Sequence, residues 1–534
     1  MEEIRIMRDA AVPMRDGLKL AANVYLPNAP GKYPVIMAYT GFGKDAYWGP
    51  QHDGWGFAYE PWSPPITGSI TFEANDPDFW CRCGYAIMLV DPRGFGHSPG
   101  TRAVAEIDGA PGEHAIIEQG RWARDQYDAI EWTAVQDWCD GNIALSGVSI
   151  FAFSQWRVAG MNPPHLKCIN PWEGMTDFHR DCKFPGGIPE TKFTLPNGEF
   201  CHKMTADIPA WPAPEHEDPP ASDPKEEDDF LAEITLPVLI SGNWTDHGCH
   251  TRGSFRAFRK ISSEQKWLYT HGRSKWGTFY SSEARTIRKL FFDCFLKGAD
   301  DRILFMPKVS LMVMEDKNKF SQRWARDYPI PEAAPRVYWL DAAAGKLTED
   351  FVTAENKIAY NAKDGHAAFE LMFKRDTELL GPSGLKLRVS TDEGDDMDIF
   401  VTFRKLDTDG NECYLDGWIT PGLQPIALGW LKLSHRKLDI QKSTPIEPYP
   451  IRVIGEGEKI KPGDIVSCEI PVLPTGILFR TGETLRVEIS GAYRSGEALT
   501  NPGFEYKSAV NRGTHTIYTG GAFDSRLTLP LHEV

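Results

Sequence analysis

The stretch Asp140–Trp156 (DGNIALSGVSIFAFSQW) constrains the fold more than any other part of the chain. Ile143 to Leu145 reads as a short apolar strand, Ser146-Gly147-Val148-Ser149 as a tight turn, and the apolar residues beyond it as a helix. A serine at a sharp strand-to-helix turn is pushed into a crowded backbone conformation that holds its hydroxyl clear of the sheet, where a base and a substrate can reach it. Gly147 has no side chain to obstruct the tight approach. Ser149 is therefore the candidate nucleophile. Taken alone, the stretch fits an ordinary loop with a helix-capping serine equally well. A base, an orienting acid and an oxyanion site elsewhere must decide.

The residues around this turn follow an α/β rhythm. Val35 to Tyr39 and Tyr85 to Val90 are continuous apolar runs of the kind found in strands buried on both faces. Gln119 to Gln136 places Trp122, Tyr127, Ile130, Trp132 and Val135 roughly on one helical face. Asp16-Gly17 between two alternating runs reads as a hairpin turn. The rhythm breaks from about 173 to 233, a segment rich in proline and glycine that ends in the acidic run Glu215 to Phe230. It returns with strands at Leu236–Ser241 and Lys266–Thr270, and with helices near Ser254–Ile261 and Ser282–Leu296. Beyond about 305, short alternating runs recur between glycines and prolines (Val309–Met314, Leu385–Val389, Ile399–Phe403, Thr484–Ile489, Thr514–Tyr518), the pattern of an all-β sandwich. The expected division is an α/β core over 1–172 and 234–304, an insertion with an acidic linker over 173–233, and a β domain over 305–534.

A length of 534 residues suits more than one domain. A net charge of −16 argues against nucleic acid or an anionic membrane surface as partner. No run of roughly 18 apolar residues and no signal-peptide core is visible, so a cytoplasmic protein is expected. The ten cysteines lack metal-knuckle spacing, which fits buried, reduced thiols. No cofactor and no metal are expected. The partner is expected to be a small-molecule substrate, and assembly into a homo-oligomer is left open.

A hydrolase built on such a sheet presents its triad in chain order serine, acid, histidine, with the last two on loops after later strands. Asp246 follows the strand Val238–Ser241 and fits the acid. His271 directly follows the strand Lys266–Thr270 and fits the base, taking the Ser149 proton and returning it to the leaving group. His247 and His250 adjoin Asp246 and are set aside, on the reasoning that the base comes from a separate loop.

Several segments together resemble one family. WCDGNIALSGVSIFAFSQW (Trp138 to Trp156), DPRGFGHSPG (Asp91 to Gly100), LPVLISGNWTDHGCHTRGSFRAF (Leu236 to Phe258), KWLYTHGRSKW (Lys266 to Trp276), DMDIFVTFRKLDTDG (Asp396 to Gly410) and SHRKLD (Ser434 to Asp439) resemble the CocE/NonD hydrolases. That group includes cocaine esterase, α-amino-acid ester hydrolases and X-prolyl dipeptidyl peptidases. The resemblance spans nearly the whole chain. It implies an α/β-hydrolase core with an inserted helical cap, a C-terminal jelly roll, and Ser149, Asp246 and His271 as the triad.

Two positions depart from the family pattern. Ala152 stands where the nucleophile motif usually ends in glycine, and Phe42 stands where a tyrosine hydroxyl usually joins the backbone N–H after the serine. A phenyl ring donates no hydrogen bond, and loss of one oxyanion donor costs on the order of 10²–10³ in rate. The expected substitutes are Tyr39 or Tyr47, alongside the backbone N–H of Ile150. Phe42, Trp48, Trp55, Trp172, Trp244 and Trp276 are the expected substrate contacts, suited to an apolar or aromatic acyl group. The expected function is a serine esterase working through an acyl-enzyme on Ser149. An X-Pro dipeptidyl peptidase or acyltransferase on the same triad, and a decayed hydrolase-like binding protein, are the alternatives.

Overall fold

The computed structural model describes residues 4–46, 70–100, 106–107, 110–111, 119–191, 229–417, 424–453, 457–494 and 504–534. The N-terminal part is a mixed sheet that opens on a hairpin. Strands β1 (Arg5–Pro13) and β2 (Lys19–Leu26) pair antiparallel across the Asp16-Gly17 turn, where Gly17 takes φ 88°. β2 pairs antiparallel with β4 (Ala86–Val90). From there every pairing is parallel: β4 with β3 (Tyr33–Tyr39), β3 with β5 (Cys139–Val148), then β6 (Leu166–Trp172), β7 (Val238–Asn243) and β8 (Lys266–His271). The strand order is thus 1-2-4-3-5-6-7-8. Almost every residue of these strands beyond the first hairpin is buried, which is why they read as unbroken apolar runs rather than alternating ones.

Helices α1 (Pro77–Arg82), α2 (Gln119–Ala134), α3 (Ile150–Gly160), α4 (Thr251–Lys260), α5 (Lys275–Tyr280) and α6 (Ser282–Phe292) connect and cover the strands. The loops after β3, β5, β7 and β8 leave from the carboxyl ends of parallel neighbours, the edge where open α/β sheets gather their functional groups. Of the inserted segment, the described part is a set of short helical turns at His179–Lys183, Pro185–Gly187 and Asp229–Glu233. The acidic run from Glu215 lies almost wholly outside the described residues.

The change of character near residue 305 is real. β9 (Val309–Met314) pairs parallel with β8, and thereby joins the sheet to an antiparallel, strand-rich C-terminal part. One group centres on β10 (Thr377–Thr391), which pairs with β11 (Val466–Phe479) and β12 (Arg526–Glu533). A second centres on β13 (Asp398–Leu406) between β14 (Ala427–Lys432) and β15 (Thr484–Ser490). Both contribute to one hydrophobic core that runs continuously into the N-terminal sheet.

Trp244 sits at that junction. It is fully buried, its ring stacks on Phe255 with centroids 4.4 Å apart, and its Nε1 donates to the Met312 carbonyl at 2.9 Å. Gly476 passes so close that a Cβ there would lie 2.7 Å from the indole. Trp244, expected as a substrate contact, is therefore placed as a structural anchor between the two parts. Trp244→Ala should cost about 3–5 kcal/mol of stability, read from a denaturant titration. An unchanged midpoint would mean that the junction contributes nothing.

Candidate active site

The turn after β5 has the expected strain. Ser149 adopts φ 59° and ψ −116°, a region that side chains rarely occupy. Two hydrogen bonds hold it there: Val148 N donates to Glu73 O at 3.1 Å, and Ser149 N donates to Trp172 O at 3.0 Å. A Cβ on Gly147 would meet Phe151 Cβ at 2.6 Å, so only glycine lets the strand and α3 approach this closely. The Ser149 side chain makes no capping bond to α3. Its Oγ faces His250 Nε2 at 3.1 Å instead.

That contact brings His250, not the expected His271, to Ser149. β8 extends one residue further than the apolar run suggested, so His271 is its last residue and its side-chain direction is set by the strand. The ring is fully buried, lies alongside Trp172 with centroids 6.2 Å apart, and brings Nε2 within 3.0 Å of Glu173 Oε1. Trp172, expected at the substrate, is likewise fully buried and packs against Tyr269 and Phe279.

His250 reaches Ser149 because of local geometry that was missed in the sequence. The backbone N–H groups of Cys249, His250 and Thr251 all point at the Asp246 carbonyl, which curls Asp246–His250 into a turn at the start of α4. Residues four apart on such a turn share a face. His250 Nδ1 accordingly makes a short hydrogen bond to Asp246 Oδ2, and Nε2 remains for Ser149. The acid and the histidine thus come from one loop, not two. The spacing Asp-x-x-x-His was the available signal.

Asp246 is wholly buried. Burial alone would raise its pKa, but His250 and Lys275 together hold the carboxyl well below the usual range. For His250, burial opposes the imidazolium, while Asp246 and Cys249 outweigh burial and draw its pKa upward; Lys275 works against them. Lys275 Nζ, also buried, lies 3.3 Å from Asp246 Oδ2 and 3.2 Å from His250 Nδ1. Burial pushes neighbouring His247 down to about 4, so it is neutral at physiological pH.

Of the expected oxyanion groups, Ile150 is the first residue of α3, directly after Ser149. Phe42 packs over the turn, against Phe72 at 5.2 Å and Phe151 at 5.8 Å between centroids. Asp91 fixes the loop that carries it, accepting from Thr40 Oγ1 (3.0 Å), Lys44 N (2.6 Å) and His97 N (2.9 Å). Tyr39 does not take the missing tyrosine's place. It points into the core, with its ring edge-on to Trp122 at 5.4 Å and its hydroxyl buried without a hydrogen bond among the described residues. Tyr47, Trp48 and Trp55 lie outside the described residues. Trp276 borders the site, donating through Nε1 to Glu73 Oε1 at 3.2 Å and packing on Phe72. Glu73 is itself in the left-handed region at φ 63°, and burial pushes its carboxyl up to about 8.

Among the described residues, Asp9, Asp45 and His97 bring ligand-type atoms within 4.8 Å of one another at the surface. The Lys44 ammonium, 2.7 Å from Asp9 Oδ1, already places a cation there. The thiols of Cys182 and Cys249, far apart in sequence, meet at 3.5 Å.

The strain at Ser149 is measurable by itself. Ser149→Gly should be more stable than Ser149→Ala by about 1 kcal/mol, because glycine relieves the left-handed conformation. Equal melting temperatures for the two variants would show that the turn stores no strain.

The comparisons with known proteins fit this geometry. Residues 16–218 match the family model described as X-Pro dipeptidyl-peptidase (S15 family), and residues 306–528 match the X-Pro dipeptidyl-peptidase C-terminal non-catalytic domain. The cocaine esterase of a Rhodococcus strain is 24% identical, with 98% of each chain covered. The crystal structure of a CocE/NonD family hydrolase from Staphylococcus aureus is 35% identical, with a TM-score of 0.87 over 99% of this chain and 94% of that one. An α-amino acid ester hydrolase structure shares the fold at 16% identity and a TM-score of 0.69, covering 99% of this chain and 97% of the other. The chain belongs to the CocE/NonD family of hydrolases and is a serine hydrolase.

Proposed function

We propose that this hydrolase cleaves a carboxylic ester with a small apolar or aromatic acyl group, through an acyl-enzyme on Ser149, with His250 as base and Asp246 as the orienting acid. The reading places the reaction on an α/β-hydrolase core, consistent with the strand order 1-2-4-3-5-6-7-8, and takes the C-terminal strands as a jelly roll. The observation that carries it is the chain of contacts from Ser149 Oγ through His250 Nε2 and Nδ1 to Asp246 Oδ2.

In the first step Ser149 Oγ attacks the ester carbonyl as its proton passes to His250 Nε2. Asp246 keeps the Nδ1–H bond, which selects the tautomer with Nε2 free to accept and stabilises the imidazolium that forms. The carbonyl oxygen, now negative, is received by the Ile150 N–H at the start of α3, where unpaired amides and the helix dipole favour an anion. His250 then gives its proton to the leaving alcohol. Water repeats the sequence on the acyl-enzyme and releases the acid. The carboxyl of Asp246 is held so low that it stays ionised throughout the range in which His250 titrates. Activity should therefore fall as pH falls through the His250 pKa, because a protonated Nε2 cannot take the serine proton.

Ser149→Ala and His250→Ala should each lower kcat/KM by at least about 10³-fold. Both should also lose labelling by a fluorophosphonate probe, whereas His271→Asn should keep it. Full labelling of His250→Ala, with loss in His271→Asn, would return the base to His271.

One observation favours a second reading, release of X-Pro dipeptides. Among the described residues, Glu73 Oε2 is buried without a hydrogen-bond partner, and its backbone is bonded to the Ser149 turn. A substrate's free amine would supply the partner. Rates on X-Pro-anilides set against simple aryl esters separate the two: faster anilide cleavage that Glu73→Gln abolishes would replace the esterase reading.

A further inference from the structure

The Asp246–His250 pair is not alone in its pocket. Lys275, the first residue of α5, brings a buried ammonium to within 3.3 Å of Asp246 Oδ2 and 3.2 Å of His250 Nδ1. Lysine has only donors, and Nδ1–H already donates to Asp246, so the two N–H groups converge on the same carboxylate oxygen rather than on each other. We propose that Lys275 is a positioning residue for the reaction at Ser149: its ammonium shares Asp246 with His250, and so lets the imidazole become neutral and accept the serine proton at lower pH than it would without that ammonium. This rests on the reading of Ser149, His250 and Asp246 as the catalytic set.

The physical case is a count of charge in a place without water. With Asp246 ionised and no other charge, the buried pair carries −1 when His250 is neutral and 0 when it is protonated. Burial would then favour the protonated form, which cannot act as a base. Adding Lys275 weakens that preference, because its positive charge opposes the imidazolium, although Asp246 and Cys249 still draw the pKa of His250 upward. While His250 holds the serine proton, its charge lies next to the oxyanion that the same step creates, so the two new charges offset each other. Lys275 loses no proton in the cycle and touches no reacting atom.

The other titratable groups facing the set enter this count. Glu73, from the loop before α1, is pushed up to about 8 by burial and is largely uncharged at pH 7. Glu173, after β6, faces His271 at 3.0 Å and is held by Asn243 Nδ2 at 2.9 Å. Cys249, on the His250 loop, meets Cys182; burial opposes its thiolate, but Cys182 and His250 draw its pKa below the usual thiol range, so it adds negative charge that favours the imidazolium and that Lys275 opposes. His247, on the same loop, is neutral. The pKa of Lys275 itself stays raised despite burial, since Asp246, Glu173, Glu73 and Cys249 all favour its charged form.

The test is the pH profile of kcat/KM on an aryl ester, together with the pH profile of the fluorophosphonate labelling rate, for Lys275→Met, Lys275→Gln and Lys275→Arg. Lys275→Gln nearly preserves shape and one donor, and remains usable if the methionine variant does not fold. Removing the charge should move the acid limb of both profiles upward by at least one pH unit, a loss of at least tenfold on that limb that disappears at high pH. Lys275→Arg should keep the limb within a few tenths of a unit. An unmoved limb in the neutral variants, with loss spread evenly over pH, would overturn the proposal, as would a limb displaced equally in Lys275→Arg. The underlying reading fails separately: a fully active His250→Ala removes the catalytic set itself, whereas an inactive His250→Ala beside an unmoved limb removes only the role of Lys275.

Discussion

A carboxylate buried without water must have its charge answered locally, and the answer given to Asp246 organises the site. Two donors converge on its Oδ2, one from His250 and one from Lys275. The first arises within the turn that opens α4. The second arrives from α5, beyond the next strand. Neither donor is solvent-exposed, so neither can exchange its partner for water. Removing one charge from such a set leaves another uncompensated, which is far more costly than the loss of a surface ion pair.

The sheet brings these groups together. β5, β7 and β8 are parallel, and their carboxyl ends release the Ser149 turn, the Asp246 loop and the segment leading to Lys275 toward the same edge. Strain accompanies them. Glu73, Ser149 and Glu173 are all non-glycine residues at positive φ, and all lie around this edge. Backbone held in such conformations persists only where surrounding structure over-determines it. Here the determinants are the hydrogen bonds from Val148 N to Glu73 O, from Ser149 N to Trp172 O and from Glu173 N to Ser241 O. They tie the turns of adjacent strands to one another.

The place expected to hold an oxyanion tyrosine is an aromatic wall. Phe42, Phe72, Phe151 and Trp276 form a contiguous cluster beside the Ser149 turn, joined by contacts between 5.2 and 5.8 Å. Phe42 therefore has a packing role where a hydroxyl would have had an electrostatic one. An apolar wall next to Ser149 lowers the local dielectric, which strengthens any hydrogen bond made beside it.

The apolar runs, the Asp16-Gly17 turn, the strand–serine–helix unit and the shift to short alternating strands near residue 305 were all legible in the sequence, because each depends on residues close together in the chain. Gly147 and Ser149 announced the turn, and Asp246 announced a carboxylate at a strand end, through local sterics and the placement of loops after apolar runs. The partner of that carboxylate was not legible. His271 directly follows one apolar run and His250 lies in the loop after another, and only the extension of β8 through His271 and the curl of Asp246–His250 separate them. Side-chain direction at a strand end reverses with a single residue of register, and no spacing rule resolves that. Lys275 lies 126 positions from Ser149 and the Cys182–Cys249 contact spans 67 residues. The chain alone determined a serine at a strand-to-helix turn and a carboxylate in the loop after β7. Only the packed sheet decided which imidazole and which ammonium they meet, because burial converts proximity across strands into obligatory charge partnership.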